Sequence, residues 1–123
     1  MKIGITSTGK DKDSEVDPRF GRCKYFLIFD TDSGNVEAFE NPSIQQSGGA
    51  GIQAGQLIVS KGVEAVLTGN MGPNAFQVVQ AAGIKVVTGV SGKISEAIEK
   101  YKNGKFEPVK DPNVGSKSGI SKP

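Results

Sequence analysis

Apolar residues in this chain change their spacing once, at Asn41-Pro42, and that change limits the folds open to it. Upstream they alternate, or run together over short stretches, as strands require. Ile3 and Ile5 alternate with small or polar neighbours, so residues 2–7 read as a strand. Residues 24–30 hold the near-continuous run Tyr25-Phe26-Leu27-Ile28-Phe29, which suits a strand covered on both faces. Asp32-Ser33-Gly34-Asn35 reads as a hairpin turn with Gly34 at positive φ, and residues 35–41 return as an alternating strand near a sheet edge. Pro42 ends it, because proline cannot donate to a ladder. Downstream the spacing becomes helical over 50–61, 73–82 and 93–102, with Gly62, Gly83 and Gly104 placed to close those helices. The expected apolar faces are Ile52, Gln56, Val59 and Leu57 or Ile58, then Phe76, Val79 and Ala82, then Ile94, Ala97, Ile98 and Tyr101. Short apolar runs at 64–68 and 84–88 separate the helices as strands.

The element order is therefore βββαβαβα: an antiparallel meander followed by βα units. This is an α/β chain with a five-stranded mixed sheet. Right-handed crossovers place the fourth and fifth strands parallel to the first. In such sheets ligands collect beyond the carboxyl ends of the parallel strands. Those ends carry Ser7-Thr8-Gly9, Thr68-Gly69-Asn70 and Thr88-Gly89, all small, polar or glycine. Such loops leave backbone N–H groups open, although short βα loops often have this composition anyway.

The richest chemistry lies in Asp17-Pro18-Arg19-Phe20-Gly21-Arg22-Cys23, where a loop becomes a strand. Two arginines offer fixed forks of donors suited to anions. Cys23, the only cysteine, offers a soft metal ligand once deprotonated. The plainer alternative has Phe20 filling the core, Gly21 making a turn, the arginines solvated and Cys23 a small buried hydrophobe. Ser47-Gly48-Gly49-Ala50-Gly51 and Gly72-Pro73-Asn74 open the first two helices, and helix N-termini favour anions. A cleft framed by Arg19, Phe20, Gly21, Arg22 and Cys23 on one side, and by Gly49, Ala50, Gly51, Asn70, Gly72, Pro73 and Asn74 on the other, is the candidate site.

Absences narrow the chemistry. The chain has no histidine, which excludes Ser-His-Asp and Cys-His catalysis and histidine-based zinc sites. One cysteine makes no internal disulfide and points to a reducing, cytoplasmic setting. The phosphate-loop and dinucleotide glycine patterns are both missing. Asp11, Asp13, Glu15 and Asp17 alternate with other residues but lack the glycine and closing glutamate of a calcium loop. The net charge of +2 is too small to suggest nucleic acid or an anionic membrane. No apolar run approaches membrane-spanning length, and Lys2-Ile3-Gly4-Ile5-Thr6-Ser7 is too short and polar for a secretory apolar segment.

Several motifs in order carry a resemblance to a known family. They are Asp17-Pro18-Arg19-Phe20-Gly21-Arg22, Tyr25-Phe26-Leu27-Ile28, Glu40-Asn41-Pro42, Gly49-Ala50-Gly51 and Gly72-Pro73-Asn74-Ala75-Phe76. Over residues 1–102 the chain resembles the dinitrogenase iron–molybdenum cofactor biosynthesis family, which includes NifX, NafY and the C-terminal part of NifB. The resemblance implies a ribonuclease H-like fold. It implies a non-catalytic protein that binds or carries an iron–molybdenum cofactor, another iron–sulfur cluster or a precursor, and that meets cofactor-assembly proteins. Many members carry a histidine before Gly49-Ala50-Gly51, where this chain has Gly48. Cys23 then remains the one soft ligand, and a second Cys23 across a homodimer would supply another.

Two other readings stand beside the carrier. A nuclease of this fold needs a carboxylate on the first strand to hold metal ions, and residues 2–7 contain none. A regulatory or protein-interaction module without a cluster is the remaining alternative. The expected folded domain spans residues 1–104. Residues 105–123 are rich in Lys, Ser, Gly and Pro and are expected to form a flexible tail.

Overall fold

The computed structural model describes residues 1–43 and 49–112. Three strands come first: β1 (Lys2–Ser7), β2 (Tyr25–Asp30) and β3 (Val36–Glu40). The βα units follow as α1 (Ala50–Ser60), β4 (Ala65–Leu67), α2 (Pro73–Ala81), β5 (Lys85–Val87) and α3 (Ile94–Lys102). The sheet order is β3-β2-β1-β4-β5. Strand β1 is antiparallel to β2 and parallel to β4, which is parallel to β5. Strand β2 alone runs against the rest, the mixed five-stranded arrangement of a ribonuclease H-like fold. The hairpin closes at Gly34 (φ 81°), whose N–H donates to the Asp30 carbonyl at 2.8 Å.

Strand alternation sends side chains to two cores. Phe26, Ile28, Val66 and Val86 face α1 and α2, where Ala54, Ile58, Ala75, Phe76 and Val79 meet them. Ile3, Ile5, Leu27, Phe29, Leu67 and Val87 face α3, meeting Ile94, Ala97 and Ile98. A run buried on both faces is what the unbroken apolar sequence of β2 requires.

The buried face of α1 differs from the one its strongest hydrophobes suggest. Ala50, Ala54, Gly55 and Ile58 are buried, whereas Gln56 is exposed and Ile52 is 41% exposed. The reason is close helix packing. A Cβ on Gly51 would touch Ala75 at 3.5 Å, and one on Gly55 would press on Val78 at 3.1 Å. Small residues let α1 lie against α2, and Ile52 is turned outward by the same geometry. On α2, Ala75 takes the buried place expected of Ala82.

The expected tail also begins later than residue 105. Phe106 packs against the α3-side core and Val109 against the α1/α2-side core. The Val109 N–H donates to the Val86 carbonyl at 2.8 Å. Two apolar residues three apart thus carry the chain across the β5 edge from one face to the other. Ser47 and Gly48, read as part of a helix entry, and the tail from residue 113 onward lie outside the described residues.

Candidate functional site

The loop after β1 is hung on the carboxyl ends of β1 and β4. Asp17 is buried, and its N–H donates to the Thr6 carbonyl at 2.9 Å. The Thr6 hydroxyl donates to the Asp17 carbonyl at 2.7 Å and shares a 2.9 Å hydrogen bond with the Thr68 hydroxyl. The Asp17 carboxylate accepts the Arg19 N–H at 3.0 Å and lies 3.6 Å from Arg19 Nε. That pairing steers the arginine without enclosing it, since its side chain is 65% exposed. Asn70 clamps the loop from the other side. It accepts the Phe20 N–H at 3.1 Å and donates through Nδ2 to the Pro18 carbonyl at 3.0 Å.

Gly21 then places the loop against α1. A Cβ there would lie 3.3 Å from Gly51 N and Cα. Gly51 in turn lies against Ala75, in the first turn of α2. The segments of Arg19–Arg22, Gly49–Gly51 and Asn70–Asn74 are therefore brought together, through glycine-to-backbone contacts. Two of the expected contact residues are not at the surface. Phe20 is 2% exposed and stacks edge-on against Phe26 at 5.3 Å, and Ala50 points into the core. Their side chains anchor the frame from below and leave only backbone at the cleft.

Among the described residues, no side chain caps either helix start at this place. Neither α1 nor α2 has an acidic residue in its first turn. The contrast is α3. There the Ile94 and Ser95 N–H groups donate to the Ser14 and Lys12 carbonyls at 2.9 and 3.0 Å, and Glu96 sits in the first turn. Among the described residues no loop carbonyl seals α1 or α2 in this way. The positive ends of two helices, with Arg19 and Arg22 on the adjoining loop, make a local preference for anions.

Cys23 is the correction. It is fully buried in the α1/α2-side core. Burial pushes the thiol far above its ordinary range, and the nearby Asp17 carboxylate pushes in the same direction. Hydrogen bonds from Asn41 and from the backbone of Cys23 and Ser7 pull the other way, and desolvation outweighs them. Neutral and enclosed, the thiol does not face the cleft, as the expected metal ligand must. The dimer built on a second Cys23 loses its argument too. The described residues hold no group of three or more metal-ligating side chains.

Asn41 and Ser43 are buried as well, although the sequence reads Asn41-Pro42 as a strand end and a family motif with no contact to this loop. Asn41 Nδ2 donates to the Gly21 carbonyl at 3.2 Å and to the Cys23 carbonyl at 2.9 Å. Shallow depressions elsewhere are unrelated to this place. One of about 300 Å³ lies beside Lys2, Asp30 and Glu37 at the hairpin end, and one of about 260 Å³ lies between Phe29 and Ile98.

Comparison with known proteins agrees with this fold. Residues 1–104 match the family described as "Dinitrogenase iron-molybdenum cofactor". The chain belongs to that family. An uncharacterised protein of Methanocaldococcus jannaschii is 34% identical over 97 residues, covering 76% of this chain and 82% of that protein. The apo form of the orange protein from Desulfovibrio gigas superposes with a TM-score of 0.88 at 38% identity, covering 91% of this chain and 95% of that one. A Thermotoga protein provisionally assigned as a NifB protein gives a TM-score of 0.76 at 45% identity, covering 87% and 91%. Membership in the dinitrogenase iron–molybdenum cofactor family ties the chain to that cofactor's assembly or binding. No helix among the described residues is long and apolar enough to cross a membrane.

Proposed function

We propose that the chain is a non-catalytic carrier for an anionic iron–molybdenum cluster, a related iron–sulfur cluster or a precursor, acting in the cytoplasm with cofactor-assembly proteins. The observation that carries this reading is the seating of Gly21 against Gly51, which sets an arginine-bearing loop beside two helix starts. Arg19, Gly21 and Arg22 would meet the anion from one side. The backbone of Gly49, Ala50 and Gly51, with Asn70, Gly72, Pro73 and Asn74, would meet it from the other. With Cys23 enclosed and histidine absent, the grip is charge and hydrogen bonding to the cluster's outer sulfides, not ligation of its metal. Attachment of that kind is exchangeable and weakens with salt, which suits delivery. The same lack of an exposed soft ligand favours a second reading, a regulatory or interaction module that holds no cluster.

Anaerobic purification with assay of iron, molybdenum and sulfide separates the two readings. Tetrathiomolybdate titration of wild type and of the Arg19→Ala/Arg22→Ala variant then locates the grip. Binding by wild type that is lost in the double variant supports the carrier. No binding by folded wild type, with no metal on purification, supports the module.

A further inference from the structure

We propose that Asn41 and Ser43 are positioning residues of the anion cleft: from beneath the Gly21–Cys23 loop they fix the peptide plane from which Arg22 leaves it. This rests on the reading that the cleft binds an anion. The geometry is a small closed network. The Gly21 carbonyl accepts from Asn41 Nδ2 at 3.2 Å, and the Ser43 hydroxyl oxygen, whose one proton goes to Asn41, lies 3.3 Å from it. Asn41 Nδ2 also donates to the Cys23 carbonyl at 2.9 Å. The Asn41 amide is itself held. Its Oδ1 accepts from the Ser43 hydroxyl at 2.6 Å and from the Ser43 N–H at 3.0 Å, and its N–H donates to the Lys24 carbonyl at 3.0 Å. Asn41 is 3% exposed and Ser43 is fully buried, so water does not compete for these bonds.

Two consequences follow from peptide geometry. The Gly21 and Cys23 carbonyls, each held by an N–H of one buried amide, have their peptide planes fixed, since the peptide is rigid and trans. The Gly21–Arg22 plane is thereby set, and with it the direction in which the Arg22 side chain departs. Gly21 is also kept so near Gly51 that a Cβ on it would lie 3.3 Å away. A side-chain amide is well matched to this work. It presents donors to two carbonyls on one side while its oxygen is anchored on the other. Aspartate, its isostere, would turn an acceptor toward the same carbonyls.

The test uses Asn41→Ala, Ser43→Ala and a control, Ile98→Val, on the opposite core. Each is titrated with tetrathiomolybdate under anaerobic conditions, with thermal unfolding measured alongside. Amide hydrogen exchange at Gly21, Arg22 and Cys23 is followed by NMR without ligand. We expect Asn41→Ala to weaken binding by about tenfold, the scale of one lost hydrogen bond, and Ser43→Ala by less. Ile98→Val should lose stability and keep wild-type affinity. Exchange at the loop amides should quicken in both network variants only. Folded Asn41→Ala that binds within twofold of wild type, or loop exchange unchanged from wild type, overturns the positioning role. If Asn41→Ala does not fold, Ser43→Ala decides by the same two readouts. If wild type binds no tetrathiomolybdate, the anion reading falls and the exchange data alone judge whether the network orders the loop.

Discussion

Replacing Gly69 with alanine should unseat the motif loop from the sheet. Gly69 follows β4, and a Cβ there would lie 2.7 Å from Pro18 Cα and 3.0 Å from the Pro18 carbonyl oxygen. The first is short of the 3.4 Å where ordinary contact begins by about 0.7 Å, and both neighbours are backbone. The segment cannot drift freely, because Asn70 holds it at the Pro18 carbonyl and at the Phe20 N–H. Overpacking of this kind costs about 1–3 kcal/mol, and loss of one Asn70 bond adds about 1 kcal/mol. For a domain of this size that is a fall in Tm of roughly 10–20 °C. Arg19 moves with the loop, so tetrathiomolybdate affinity should drop as well. The control is Gly9→Ala. Its new methyl meets the Ser14 hydroxyl even more closely, but a side-chain end can rotate away. That change should cost under about 1 kcal/mol. Thermal unfolding by circular dichroism reads both. A Gly69→Ala protein melting within about 3 °C of wild type would refute the reasoning, as would an equal loss in Gly9→Ala.

Two further outcomes follow from one buried and one half-buried group. Cys23→Ala should lower stability by about 1–2 kcal/mol while leaving tetrathiomolybdate affinity within twofold of wild type. A stable variant that no longer binds would restore the thiolate as a ligand. Tyr101 donates to Glu64 Oε2 at 3.0 Å, and burial together with that carboxylate raises its pKa from 10.0 to about 12. A folded-state pKa above the unfolded one gives stability that is complete below pH 10 and lost as pH rises toward 12. The Tm gap between wild type and Tyr101→Phe should therefore narrow across that window, and a gap that widens there contradicts the assignment.

How much of this was legible in the sequence depends on whether a residue's partner is local. The switch at Asn41-Pro42 marked the passage from meander to βα units, and all eight elements follow it. Glycines of the two helix entries and the arginines of the loop could be grouped because motif loops gather at strand ends. Three features escaped. Ile52 outranks Ala50 and Ala54 by hydropathy, but α2 lies so close that only small residues fit between. Cys23 precedes a strand buried on both faces, where alternation gives no parity to tell inward from outward. The hydrogen bonds of Asn41 join residues 18 and 20 positions apart, and no local pattern announces them.

The crossing of residues 105–109 over β5 separates two boundaries that look like one. Similarity to the family ends at residue 104, whereas Val109 still closes a hydrogen bond on Val86. A protein cut at residue 104 would uncover the β5 edge, with two cores missing the contacts of Phe106 and Val109. Bare edges of that sort recruit other strands. Clumping in a protein trimmed there would reflect the cut, not the nature of the domain.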